Sequence, residues 1–247
     1  MAKRKTTLKQ QTIISLEDVL DTLRTLGSPE TVAFKNKKFG INPANSLGVY
    51  QKDLNLIVKE IGKNDALALE LFDTGIYDAQ ILCSKIFTPR NLTPELMDSW
   101  VTHFTTWEIC DSFSMKLFAR SPFAVSKALE WSHRQPIFEK RAGFAMMAAY
   151  CMADKKAQNE AFEPFLKAIQ RESWDERLYV RKAINWALRN IGKRNLDLKY
   201  MAIDTAHAIF QIKTKAAQWI ANDALKELTK DSVRRSDYPR SIYRPKR

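Results

Sequence analysis

A chain of 247 residues with 45% hydrophobic and 11% aromatic content is long enough to bury a sizeable core. It holds seven glycines and no Gly-rich phosphate loop, which argues against a nucleotide-binding α/β fold. Forty basic against twenty-eight acidic residues give a net charge of +12 and a pI near 9.6, the balance of a protein that meets polyanions.

Met1 to Gln11, with Lys3, Arg4, Lys5 and Lys9, reads as a basic flexible arm. Ser15, with Asp18 three residues on, resembles a capping box and opens a first helix that ends at Gly27. Ser28-Pro29 restarts a helix, serine suiting the N-cap and proline the first turn. After a loop through Gly40 and Pro43, helix is predicted from about Val49 to Ile61, with Leu54, Ile57, Val58 and Ile61 as its apolar stripe. Shorter helices follow over Asp65 to Phe72, Tyr77 to Phe87, Thr93-Pro94 to Phe104, Thr106 to Phe118, and Ser121-Pro122 to about Trp131. No alternating strand pattern of useful length interrupts them, so the chain reads as all-α.

The second half repeats itself. Lys140-Arg141-Ala142-Gly143-Phe144-Ala145 is echoed by Arg181-Lys182-Ala183-Ile184-Asn185-Trp186 about forty residues on, and more weakly by Gln218 to Leu225. Helix pairs at that period are the mark of HEAT-like or armadillo-like arrays. The fold expected is one curved right-handed solenoid of HEAT-like antiparallel helix pairs over residues 12–230. Gly143 inside a helical pattern suggests close helix–helix approach. After Lys230 the pattern stops, and 231–247 reads as a basic flexible tail able to track a phosphate backbone.

Cys83, Cys110 and Cys151 fall in apolar stretches without CxxC spacing, and His103, His133 and His207 are scattered. Reduced core thiols are expected, with no disulfide and no metal. No apolar run suggests export or a membrane span, so a soluble cytoplasmic protein is expected.

The stretch from Thr106 to Phe118 carries the chemistry. On a helix, Trp107 and Asp111 lie one turn apart on one face, while Ile109, Cys110, Phe113, Leu117 and Phe118 point to a core. Asp111 sits at the margin of that apolar set, where a carboxylate is expensive unless a cation meets it. Lys140 and Arg141, with Trp186 and Arg189 three residues apart on another helix, add cations and an aromatic to make a plausible nucleic-acid cradle.

From about residue 30 to 229 the sequence resembles the AlkD-type DNA alkylation repair glycosylases, built of HEAT-like repeats. The matching blocks are Gly48-Val49 leading into Leu54 to Gly62, Leu96 to Trp100, Trp107 to Asp111, Lys140 to Phe144, Asn185 to Asn195 and Ala216 to Leu225. The resemblance implies excision of cationic N3- and N7-alkylated purines from duplex DNA. Asp111, Trp107 and Trp186 match the family's catalytic set, and Arg141 and Arg189 its DNA-contacting arginines. Lys140, Lys182 and Lys193 join them as phosphate contacts, and an aromatic near Phe34 lines the site.

No metal or organic cofactor is implied. The expected partner is alkylated double-stranded DNA, met by a nucleoid-associated monomer without an obligate protein partner. The alternatives are a non-catalytic binder of branched or damaged DNA and a protein-interaction scaffold. Retention of Trp107, Asp111 and Trp186 together favours the enzyme, because a mere binder gains nothing from a carboxylate near phosphates.

Overall fold

The computed structural model describes residues 15–245, and the basic arm at 1–11 lies outside them. No strand occurs among the described residues. Fourteen helices run in order: α1 (Leu16–Leu26), α2 (Pro29–Phe39), α3 (Gln51–Ile61), α4 (Asp65–Asp73), α5 (Tyr77–Ile86), α6 (Pro94–Val101) and α7 (Trp107–Lys116). There follow α8 (Ala124–Trp131), α9 (Ile137–Ala153), α10 (Glu163–Glu172), α11 (Leu178–Gly192), α12 (Leu196–Phe210), α13 (Lys215–Leu228) and the short α14 (Arg240–Tyr243).

Caps written in the sequence set many of these boundaries. Ser15 and Asp18 form the full capping box, and the side chains of Ser28, Asn64, Thr93, Thr106, Asn195 and Thr214 each accept an amide of the first turn. Each such cap contributes about 1 kcal/mol. Of the boundaries that differ from the sequence reading, two lie beside the Trp107 helix. The Trp107 helix stops at Lys116, where Leu117 leaves helical geometry, and Phe118 to Arg120 form a 3-10 turn. Ser121 then donates its hydroxyl to the Phe118 carbonyl instead of capping, so α8 begins only at Ala124.

The helices pair as α4 with α5, α8 with α9, α10 with α11 and α12 with α13. The second members form one continuous row, α5 against α7, α7 against α9, α9 against α11 and α11 against α13, while α8, α10 and α12 make the other layer. This is a solenoid of HEAT-like pairs. The row starts at Ile137, Leu178 and Lys215 reproduce the repeat period legible in the sequence. The core between the layers is richest around α7, where Phe113 meets Phe72, Trp100, Phe104 and Phe118 edge-on or tilted, with centroids 5.0–5.8 Å apart. Phe113, Ile109 and Cys110 are fully buried, which fixes the rotation of α7 and so the direction of Asp111.

Gly143 marks the close approach its sequence position suggests. A methyl group there would lie 2.7 Å from the Ser132 amide nitrogen and 2.8 Å from the Ala128 carbonyl oxygen, both backbone atoms of the α8 hairpin. Gly143→Ala is expected to destabilise the protein by about 1–3 kcal/mol through overpacking, read as a lower midpoint in urea unfolding.

The C-terminal segment departs from expectation. Residues 231–245 are not a free tail; they form a strap across the solenoid. The Ser236 and Tyr238 amides donate to the carbonyls of Lys193 and Arg194, and Asn195 Nδ2 donates to the Tyr238 carbonyl at 2.8 Å. Tyr238 is buried, and the Tyr243 hydroxyl bonds Asp197. These partners lie at the α11–α12 turn and become available only once the solenoid has folded.

Candidate active site

One pocket of about 520 Å³ opens where α2, α7, α9 and α11 converge. Trp107 and Asp111 come from α7, Arg141 from α9, and Tyr179, Lys182 and Trp186 from α11, with Lys38 and Phe39 arriving from the end of α2. Helical spacing explains the lining. Trp107, Asp111 and Met115 recur every fourth residue on α7, as do Leu178, Lys182 and Trp186 on α11, so each helix turns one stripe to the cavity. Asp111, Trp107 and Trp186 all line this one pocket.

Arg141 meets the Asp111 carboxylate in a two-pronged pair, Nε to Oδ1 at 3.0 Å and Nη2 to Oδ2 at 2.8 Å. Its remaining Nη1 donates to the Tyr179 carbonyl at 2.7 Å, tying α9 to the start of α11. The Arg141 side chain is 8% exposed, and that of Asp111 18%. Arg141 is therefore the cation that makes a carboxylate tolerable at this margin, and its donors are engaged inside the protein. Burial pushes the Asp111 carboxyl above the usual aspartate range, with the guanidinium pulling the other way.

The tryptophan is held from the N-terminal side. Trp107 Nε1 donates to the Phe39 carbonyl at 3.0 Å, and the two rings meet edge-to-face at 6.4 Å. Lys35 crosses from α2 to Glu108 at 3.3 Å, and Glu108 also accepts from the Tyr77 hydroxyl at 3.0 Å. Together these contacts latch the end of α2 over the pocket. Gly40 ends α2 with φ +65°, and a methyl group there would sit 3.3 Å from the Tyr179 hydroxyl, so the turn runs close to α11.

Four expected phosphate contacts are placed otherwise, Arg141 among them because its donors are engaged by Asp111 and Tyr179. Lys140 points inward; its ammonium bonds Glu172 at 2.6 Å and Asp175 at 3.1 Å with the side chain 2% exposed. Adjacent positions on a helix face about 100° apart, and here Arg141 took the pocket and Lys140 the core. Arg189 pairs with Glu227 at 2.7 Å, and Lys193 shares the same carboxylate at 2.9 Å, so both brace α11 against α13. Only Lys182 is exposed on the pocket rim as expected, joined by Lys38.

The N-terminal aromatic of the pocket is Phe39, against which Phe34 packs edge-on at 5.9 Å. Phe39, Lys38 and Tyr179 escaped the sequence reading. Their only local signal is position, Phe39 directly before the helix-ending Gly40 and Tyr179 in the first turn of α11. The described residues contain no cluster of His, Cys, Asp and Glu suited to a metal, and no helix is long and apolar enough to cross a membrane.

No curated protein matches the chain. A solved structure, described as from "a new family of proteins related to the HEAT-like repeat DNA glycosylases with affinity for branched DNA structures", superposes with a TM-score of 0.67. The likeness spans 86% of this chain and 94% of that one at 20% identity, and shows the shared HEAT-like fold. Residues 19–228, nearly the whole solenoid, match the family described as DNA alkylation repair enzyme. The chain belongs to that family.

Proposed function

We propose that this protein hydrolyses the N-glycosidic bond of cationic N3- or N7-alkylated purines in duplex DNA. The observation that carries the reading is a single carboxylate, Asp111, in one pocket with two indoles. An alkylpurine that already bears positive charge takes the bond's electron pair and leaves neutral, so no general acid is needed and one carboxylate suffices. Positive charge then builds on the deoxyribose, where Asp111 stabilises the oxocarbenium ion or positions the attacking water. Water adds at the sugar carbon and releases a proton. Trp107 and Trp186 hold the cationic nucleotide by cation–π contact, each worth roughly 0.5–2 kcal/mol. Lys38 and Lys182 on the rim suit the flanking phosphates.

Arg141 is here a positioning residue. It holds Asp111 in one orientation and keeps it ionised against burial. Catalysis needs the carboxylate, so activity is full above the Asp111 pKa and falls as the pH drops through it. Because burial raises that pKa, the acid limb of the rate profile is expected above the ordinary aspartate range. Arg141→Gln removes the opposing pull and is expected to move the limb to still higher pH with little change in the salt dependence of binding. An unmoved limb with a shallower salt slope would return Arg141 to the phosphate contacts.

The second reading is a DNA-binding solenoid without chemistry, favoured by the engagement of both Asp111 oxygens by Arg141. Release of 7-methylguanine and 3-methyladenine from methylated duplex separates the two. Release supports the glycosylase; tight binding without release, at any pH from acid to neutral, supports the binder.

A further inference from the structure

The strap builds a second concavity, of about 580 Å³, on the far edge of the solenoid, lined by Lys155, Lys156, Gln158, Tyr238, Pro239 and Arg240. The ammonium of Lys155 lies 5.6 Å and the guanidinium of Arg240 5.3 Å from the Tyr238 ring centroid, and buried Arg194 lies 5.8 Å from it. Three cations thus gather around one phenol. Among the acids of this corner Asp154 accepts the Lys156 and Ala157 amides, Asp197 the Tyr243 hydroxyl, and Asp237 pairs with Arg235 and Arg244, while Glu160 is exposed beside Tyr243. Among the described residues the charged groups of Lys155, Lys156 and Arg240 join no ion pair and no hydrogen bond. Like charges held together without a counter-ion repel, so this corner is complementary to an anion.

Its position points to which anion. Met152 follows Arg141 by eleven residues, about three turns, so both leave the same face of α9 about 16 Å apart. Lys193, eleven residues after Lys182, caps the C-terminus of α11. The strap crosses at these two residues, Ser236 donating its amide to the Lys193 carbonyl and its hydroxyl lying 3.3 Å from Met152 Sδ. At Ser236 the strap therefore touches the face that carries the pocket, at the opposite end of the same helices, and from there it runs on to Asn159 and Asp197. That end bears the C-termini of α9 and α11, whose partial negative charge would repel a phosphate if left bare. Lys155, Lys156 and Arg240 oppose that charge.

We propose that the strap and the Lys155-Lys156 turn form a second phosphate-binding site, which grips the backbone of the duplex whose lesion occupies the pocket. It rests on the DNA-binding half of the proposed function and not on excision. Two grips at opposite ends of α9 and α11 fix the direction in which the duplex crosses the solenoid, which one basic rim cannot do.

The test is binding of the full-length protein to an unmodified duplex across a salt series. Each lost phosphate contact lowers the slope of log K against log salt by about 0.9. Lys155→Gln/Lys156→Gln/Arg240→Gln is expected to flatten the slope by about 2–3, with unfolding temperature and the chemistry at the pocket unchanged. Should the triple variant be unstable, Lys155→Gln/Lys156→Gln alters only exposed side chains and should flatten the slope by nearly 2. An unchanged slope in a folded variant overturns the proposal. The two readings fail separately: a wild type that binds steeply and releases no base loses the glycosylase and keeps the second grip. A variant that releases bases normally on an unchanged slope does the reverse.

Discussion

Asp111→Asn is expected to lower base release by at least about 10²–10³-fold while leaving duplex binding intact or tighter. The substitution keeps the size of the side chain and removes its charge, so the electrostatic help to the developing oxocarbenium ion disappears. Its second effect follows from the pair with Arg141. A neutral amide leaves the guanidinium, 8% exposed, with its charge uncompensated and facing the pocket. That charge repels the cationic lesion and attracts phosphate, so excision and binding should move in opposite directions. The measurement is single-turnover release of 7-methylguanine beside filter binding of the same duplex. Equal loss of both would make Asp111 a structural residue and sink its catalytic role.

Lys140→Ala is expected to cost about 3–5 kcal/mol of stability, the usual result of removing one partner of a buried ion pair. For a chain of this size that corresponds to a fall of very roughly 10 °C in unfolding temperature. Glu172 and Asp175 would be left facing each other with the Arg171 and Arg177 guanidiniums on their outer sides. Burial alone would raise the pKa values of both acids, but hydrogen bonds from Lys140, Arg171 and Arg177 leave them lowered. A lowered folded-state pKa contributes stability that is present above the unfolded value and lost as pH falls through the folded one. Without Lys140 the folded pKa values rise toward the unfolded ones, so that acid-side loss should be smaller and complete at higher pH. The salt slope of DNA binding should stay as in the wild type. A variant of normal stability with a shallower slope would place Lys140 on the DNA after all.

Lys140 and its neighbour Arg141 show where sequence reasoning holds and where it stops. Local signals held: the Ser15 box, the Ser28 cap, the apolar stripe of α7 and the close approach at Gly143 each depend on residues within a few turns. The repeat spacing brought Asp111, Trp107 and Trp186 to one cradle, while a catalytic role for them was legible only through family resemblance. Which of Lys140 and Arg141 turns inward depends on Glu172 and Asp175, more than thirty residues away and carrying no pattern that announces them. Arg189 and Lys193 looked free because their partner, Glu227, reaches them only when α13 lies on α11. The strap looked mobile for the same reason, its anchors Arg194 and Asn195 being remote carbonyl and amide groups.

The three cysteines take on a further meaning in a family devoted to alkylation damage. The agents that methylate purines are soft electrophiles, and a thiolate is a better target for them than any base. Cys83, Cys110 and Cys151 are all unpaired and buried. Burial pushes each thiol well above its ordinary pKa, that of Cys151 up to about 12. At neutral pH the core therefore holds almost no thiolate, and what little forms has no open path to solvent. The fold keeps its own nucleophiles out of reach of such reagents.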